Sequence, residues 1–227
     1  RRCQEIINRL ARGDGDDRFL DFCLHHGEDL DLEEGVFLLA QTQYPEINIE
    51  AYRALLDIWA RELESRLDLR GPAEDVLASL NRFLFEELGF AGNPYYGDNQ
   101  ENCYLNRVID RRTGNPISLC AIYLFLSRRL GLPVAGIGLP GHFICRYQST
   151  TRQVYIDAFR RGQFLSKADC IKYLLQTNYG LQEGYLTPVS TRRMLLRICS
   201  NLHQTYSMLE MTEEVTRVQR YLVALAK

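Results

Sequence analysis

The chain has 227 residues and a mass of 26.3 kDa, which is enough for one large domain or two small ones with a buried core. A formal charge of −2 and a pI near 6.1 predict no nucleic-acid or membrane-surface partner, because such a chain has no overall attraction to polyanions. No apolar run approaches the ~18 residues of a membrane-spanning helix, and the first residues do not have the pattern of a secretory signal.

Residues 1–92 are predicted to be helical, with short connections. One helix is expected to end near Tyr44-Pro45, since proline disfavours a helical residue before it. Apolar residues recur in steps of three and four from Ile49 to Leu67, which indicates an amphipathic helix. Pro72 is suited to the first turn of the next helix, and Gly89 is expected to stop it.

The middle of the chain begins with a polar loop, residues 91–101. A short helix over 104–111 is predicted to follow it. Asn115 is a good N-cap and Pro116 a good first residue for a long buried helix, which we expect to end at Gly131.

Three short strands follow, separated by turn residues. They are predicted over 134–139, 143–147 and 154–158. Ser166 and Asp169 have the spacing of a capping box that opens another helix.

The fold class that follows is α+β, with helices first, a small antiparallel sheet packed on a long helix, and a helical pair at the end. Residues 190–226 are predicted to form that pair, as two antiparallel helices that meet at Met211-Thr212. The expected domains are a helical region 1–90, a central core 91–186 and the C-terminal pair 187–227.

Cysteine usage argues against a structural metal and against a disulfide framework. The cysteines are odd in number, scattered, and never spaced as C-x-x-C. Five have apolar neighbours and are predicted to be buried as small hydrophobic residues, whereas Cys103 lies in a polar stretch and is predicted to be an exposed thiol. We therefore expect no metal, no cofactor and a cytoplasmic location. The seven are Cys3, Cys23, Cys103, Cys120, Cys145, Cys170 and Cys199.

Two side chains of the predicted sheet have the pattern of an acid–base pair. His142 stands at the start of one strand and Asp157 at the end of the next. A hairpin would place them across from each other, at ~5 Å. An aspartate beside a histidine fixes the imidazole tautomer and stabilises imidazolium, as a general base requires. A purely structural hydrogen bond is the alternative explanation.

These segments resemble the transglutaminase-like superfamily, which has a papain-like fold. The pattern of that family reads G-x-C at a helix start and L-G-[IL]-P at its end, then a strand that opens with His and a strand that ends in Asp. The corresponding segments here are Gly114-Asn115-Pro116, Leu130–Pro133, Gly141–Phe143 and Tyr155–Asp157. A closer similarity, to the bacterial SirB-one group, lies in Asn102–Asn106, Gly114–Leu119, Leu139–Phe143 and Ile156–Phe159.

The resemblance implies that 91–186 is a transglutaminase-like core and that the C-terminal pair is tetratricopeptide-like. It also implies a Cys-His-Asp site, yet the position of the family's cysteine nucleophile is occupied by Pro116. Ser118 and Cys120 are the nearby candidates, although N-terminal hydrogen bonding and core packing explain them as simply. Candidate cleft or oxyanion residues are Asn102, Asn106 and Tyr104.

Three functions remain open from the sequence, and whether the protein is an enzyme is undecided. The first is a degenerate module used for protein recognition or regulation, with a protein or peptide partner. The second is an acyl-transfer enzyme, a peptide amide hydrolase or transglutaminase, that uses Ser118 or Cys120 with His142 and Asp157. The third is a helical adaptor in which the sheet is only a scaffold.

Overall fold

The predicted α+β class is confirmed by the computed structural model, which describes residues 2–69, 71–177, 179–180 and 182–227, with the main chain alone for residues 2–11, 96 and 183. Its helices are α1 (Arg2–His25), α2 (Leu32–Gln43), α3 (Ile49–Glu64), α4 (Ala73–Arg82), α5 (Leu105–Arg111), α6 (Pro116–Arg129), α7 (Lys167–Gln176), α8 (Thr191–Met208) and α9 (Thr212–Leu225). Its strands are β1 (Ala91–Gly92), β2 (Thr113–Gly114), β3 (Val134–Leu139), β4 (His142–Gln148), β5 (Gln153–Asp157) and β6 (Gln163–Leu165).

The chain forms two compact units, each built from separated segments. The helical unit comprises Arg1–Glu50, Tyr95–Arg111 and Ser190–Lys227, and the sheet unit comprises Ala51–Pro94 and Arg112–Val189. The division at residues 90 and 186 that we expect for functional domains stays a prediction. Among the described helices, none is both long enough and apolar enough to cross a membrane.

One buried arginine joins the ends of two helices within the helical unit. The guanidinium of Arg192 donates to the carbonyl oxygens of Cys23 and His26, at 2.8 Å each, at the end of α1. It also donates to the carbonyls of Ala224 and Leu225, at 2.8 and 3.0 Å, at the end of α9. The last four carbonyls of a helix have no partner inside it, and the helix dipole favours a cation beside that end.

The sheet unit contains a parallel pair, β1–β2, and an antiparallel sheet of order β3-β4-β5-β6. Helix α6 packs on one face of that sheet, where the thiol of Cys145 lies 3.9 Å from the carbonyl oxygen of Cys120. Helix α7 covers the other face, where Ile144 and Tyr155 of the sheet cluster with Cys170 and Leu174 of the helix. Side chains alternate along a strand, so neighbouring residues of β4 face different helices.

Local sequence signals account for most of these elements. Asn115 caps α6 through a 2.9 Å bond from the main-chain N–H of Ser118 to its side chain, and Pro116 is the first helical residue, as predicted. The capping box of Ser166 and Asp169 is also confirmed at the start of α7. Sequence patterning did not identify β1, β2 and β6, because strands of two or three residues are too short to show alternation.

We predict that Arg192→Met lowers the free energy of unfolding by about 3 kcal/mol or more, because it leaves buried carbonyls without a charged donor. The matched control is Arg193→Met on the exposed side of the same turn, which should change it by less than about 0.5 kcal/mol. The measurement is urea unfolding followed by circular dichroism. Equal effects of the two substitutions would contradict the capping role.

Candidate functional site

His142 and Asp157 form a hydrogen-bonded pair on neighbouring antiparallel strands. The distance from Nε2 of His142 to Oδ2 of Asp157 is 2.8 Å, which confirms the predicted hydrogen-bond reach. The predicted placement directly across the hairpin is wrong in detail. The register pairs Cys145 with Ile156, so Asp157 lies diagonally, two positions from the residue opposite His142. Because an offset of two positions leaves both side chains on the same face of the sheet, the hydrogen bond between His142 and Asp157 still forms.

Asp157 also organises the main chain that follows it. Its Oδ1 accepts from the main-chain N–H groups of Phe159 and Arg160, at 3.1 and 3.2 Å, and caps the single 3-10 turn Ala158–Arg160. The side chain of Asp157 is 2% exposed, and Nε of Arg160 lies 3.7 Å from its other oxygen. A buried carboxylate needs such partners, and Asp157 has them even without the imidazole.

The imidazole of His142 contacts two aromatic rings. The centroids of Phe159 and Tyr173 each lie 6.0 Å from its own. The hydroxyl of Tyr173 donates to the carbonyl of Pro140 at 2.9 Å, which anchors α7 beside the β3–β4 turn. With Nε2 engaged by Asp157, the lone pair of the neutral ring stands on Nδ1, the atom that can accept a proton.

A cavity of about 290 Å³, the His142 cavity, opens beside this pair. Both charge signs are present in its wall, from Arg160 and Lys172 and from Asp157 and Asp169. No residue of α6 is among the described residues that line it. The lining comprises Leu139, His142, Ile144, Asp157, Arg160, Gln163, Phe164, Leu165, Asp169, Cys170, Lys172, Tyr173 and Gln176.

The nucleophile candidates of α6 are engaged elsewhere. Ser118 is buried, and its hydroxyl donates to the carbonyl of Asn115 at 3.0 Å. The thiol of Cys120 is fully buried and donates to the carbonyl of Phe143 at 3.6 Å. Burial raises the pKa of Cys120 well above that of a free thiol, and the neighbouring Cys145 and Asp157 raise it further, so the thiol stays protonated at neutral pH.

The other predicted site residues lie in the helical unit. Asn102 and Asn106 are buried there, and Oδ1 of Asn106 has no hydrogen-bond partner among the described residues. Tyr104 is buried, with its hydroxyl 2.9 Å from that of Tyr206. Their predicted part in a cleft or an oxyanion hole stays a prediction. Cys103 is only 3% exposed, so the prediction of an exposed thiol is wrong, because the loop that carries it is itself packed.

Sequence reasoning missed one thiol at the site. Cys170 of α7 lines the His142 cavity, and its pKa is raised to about 11 by burial first and then by Asp169 and Asp157. Its apolar sequence neighbours predicted core packing alone, and the pairing of α7 with this face of the sheet was not foreseen. The cysteines with described side chains are free thiols, and no cluster of His, Cys, Asp or Glu suited to a metal ion occurs in the described part of the chain.

Comparisons with known proteins agree with the arrangement of these elements. A family model described as transglutaminase-like superfamily matches residues 50–200. A UPF0162 protein of Xylella fastidiosa is 33% identical over 189 residues, which cover 79% of this chain and 66% of the relative. A UPF0162 protein of Pseudomonas aeruginosa is 31% identical over 67% of this chain and 56% of its own length.

F-box only protein 21 of Homo sapiens is 34% identical over 135 residues, which are 56% of this chain and 21% of that protein. The chain therefore spans just under two thirds of the Xylella relative and about a fifth of the F-box protein. No solved structure gives a significant match. Since the family model covers well over half of the sequence, the chain belongs to the transglutaminase-like superfamily.

Proposed function

We propose that this protein is a recognition module with a transglutaminase-like fold, whose degenerate site binds a protein or peptide without forming an acyl intermediate. The observation that supports the proposal concerns the candidate nucleophile positions in the first turns of α6. Its first residue, Pro116, has no nucleophilic group, Ser118 is bonded to the helix cap, and Cys120 is a neutral buried thiol. Acyl transfer needs an activated nucleophile within hydrogen-bond reach of its base, ~2.6–3.2 Å, and we expect no thiol of α6 at that distance from His142.

The His142 cavity suits recognition because its wall combines aromatic rings with polar groups of both signs. The imidazole, the amides of Gln163 and Gln176, and the cations Arg160 and Lys172 can hydrogen-bond a peptide group, while Phe164 and Tyr173 offer apolar contact. The similarity to an F-box protein supports a partner that is itself a protein.

The proposal also includes a more specific family assignment within the transglutaminase-like superfamily. We assign the chain to the SirB-one group and interpret α8 and α9, which pack against each other, as a tetratricopeptide-like pair. A pair too short for a solenoid of its own is stabilised by packing on neighbouring helices, as α8 does on α2 and α9 on α1 within the helical unit. Free thiols in the described part of the chain suit the reducing cytoplasm, where we place the protein.

Acyl transfer is the second candidate, and the 2.8 Å bond between His142 and Asp157 favours it. In that reaction, Nδ1 of His142 takes the proton of Ser118 or Cys120, whose oxygen or sulfur attacks an amide carbon. The amine leaves with that proton, and water or a second amine then breaks the acyl bond. The helix would first have to release the hydroxyl of Ser118 or the thiol of Cys120 from its present carbonyl partner.

Chemical labelling separates the two candidates. We predict that in the native protein neither a small thiol alkylator nor a serine-directed phosphonate labels Cys120 or Ser118 rapidly, because both groups are buried. Alkylation of Cys120 should be at least about a hundredfold faster in concentrated urea. Mass spectrometry maps the labelled residues, with His142→Ala as the test variant and His203→Ala on α8 as its control. Rapid labelling of either residue that disappears only in His142→Ala would overturn the proposal.

The dual role of Asp157 gives a stability prediction. Asp157→Ala should lower the free energy of unfolding by about 2–4 kcal/mol, because two main-chain N–H groups and the imidazole lose their acceptor. His142→Ala should cost about 1 kcal/mol, since it leaves the cap in place. The control is Asp169→Ala, which removes an exposed capping-box carboxylate and should cost less than Asp157→Ala.

Urea unfolding followed by the fluorescence of Trp59, the only tryptophan of the chain, measures these changes in the sheet unit. Equal losses from Asp157→Ala and His142→Ala would mean that the carboxylate serves the imidazole alone. That result would favour the catalytic candidate over a structural pair.

A further inference from the structure

A second cavity, the Arg146 cavity, lies on the same face of the sheet and shares no lining residue with the first. Its volume is about 480 Å³. Arg146 follows His142 on β4 by four residues, which is ~13 Å along a strand, so the two cavities are separate sites. The lining comprises Arg146, Gln153, Tyr155, Lys167, Ile171, Gln182, Leu186 and Thr187.

The charged side chains among the described lining residues of this cavity are all cations. Arg146 and Lys167 are cations, and no carboxylate occurs among the described lining residues. Neither cation forms a salt bridge with a described residue, whereas Arg66 and Arg129 of the same unit each have a carboxylate partner. Placing two positive groups around one concavity without a counter-charge favours an anionic ligand.

The guanidinium of Arg146 is only partly satisfied by the protein. One terminal nitrogen donates to the carbonyl of Leu186 at 2.9 Å. Its Nε is buried and has no hydrogen-bond partner in the described part of the chain. Arg146 lines the cavity, and a guanidinium fits a carboxylate through parallel N–H bonds.

The rest of the wall suits a peptide more than a bare inorganic anion. Gln153 and Gln182 contribute side-chain amides, which can pair with peptide groups. The amide nitrogen of Gln153 already donates to Gln148 at 3.1 Å, which leaves its oxygen as an acceptor for a peptide N–H. Ile171, Leu186 and Tyr155 form an apolar surface that a free phosphate would not use.

We propose that the Arg146 cavity binds the carboxylate of a peptide segment, with Arg146 and Lys167 on the carboxylate, the glutamine amides on the peptide groups, and an apolar side chain against Ile171 and Leu186. The carboxylate comes from either a chain terminus or an acidic side chain. The inference goes beyond the proposed function, because it holds whether or not the His142 site reacts.

The test is isothermal titration of the full chain with three acetylated tripeptides. One has a C-terminal leucine with a free carboxylate, the second is its C-terminal amide, and the third is an amide with a central glutamate. Binding of the first or third but not of the second is the expected result, and it identifies the source of the carboxylate. Equal binding of all three, or of none, would overturn the proposal, as would inorganic phosphate binding as tightly as the peptides.

Variants assign the binding to this cavity. Arg146→Gln and Lys167→Gln should each weaken the carboxylate peptide at least about tenfold, since each removes a charged hydrogen bond. Lys167 is exposed, so its substitution leaves the core intact even if Arg146→Gln proves unstable. The matched control is Arg152→Gln on the β4–β5 turn, which removes one exposed positive charge and lies in the lining of neither cavity. Unchanged affinity in Lys167→Gln, or an equal loss in Arg152→Gln, would refute the assignment.

Discussion

The alternation of side chains along β4 is the constraint on which both candidate sites depend. His142, Ile144 and Arg146 share one face of the strand, and Ile144 packs there against residues of α7. Cys145 faces α6, where its thiol contacts the carbonyl of Cys120. The imidazole of His142 and the thiol of Cys145 are therefore directed to opposite sides of one sheet by the pleat of a single strand.

The electrostatics of the two faces follow from this separation. On the α6 side, burial keeps the Cys120 thiol neutral, and carbonyl groups satisfy it as a donor. On the α7 side, charged and polar groups line two cavities. The described lining residues carry both charge signs in the His142 cavity and positive charges in the Arg146 cavity. Reactive thiolates need a cationic or helix-terminal environment, whereas binding pockets need unsatisfied donors and acceptors. Cys120 lies a full turn inside α6 and its pKa is raised, so it does not meet the first requirement, whereas the cavities on the α7 side suit the second.

Local signals in the sequence were sufficient for the helix that would carry a nucleophile and for the strands that carry the acid–base pair. Caps, prolines and alternation depend on neighbours a few residues away, and they predicted Asn115 as a cap and His142 beside Asp157. Cys170 and Arg146 were not predicted as site residues, because their surroundings are set by which sheet face α7 covers. The prediction that Cys103 is exposed is wrong for a related reason, because a polar stretch can still be buried by distant segments.

A formed His-Asp pair is weak evidence for catalysis in this fold. Asp157 caps the turn after β5 through two main-chain N–H groups, and its burial requires partners whatever His142 does. His142 contacts the rings of Phe159 and Tyr173 and donates one more hydrogen bond to Asp157. The pair thus contributes to stability where β4 begins and β5 ends, whether or not the site reacts. The informative position is the start of α6, since a nucleophile there has no comparable structural use, and proline at that point strengthens the helix while removing the chemistry.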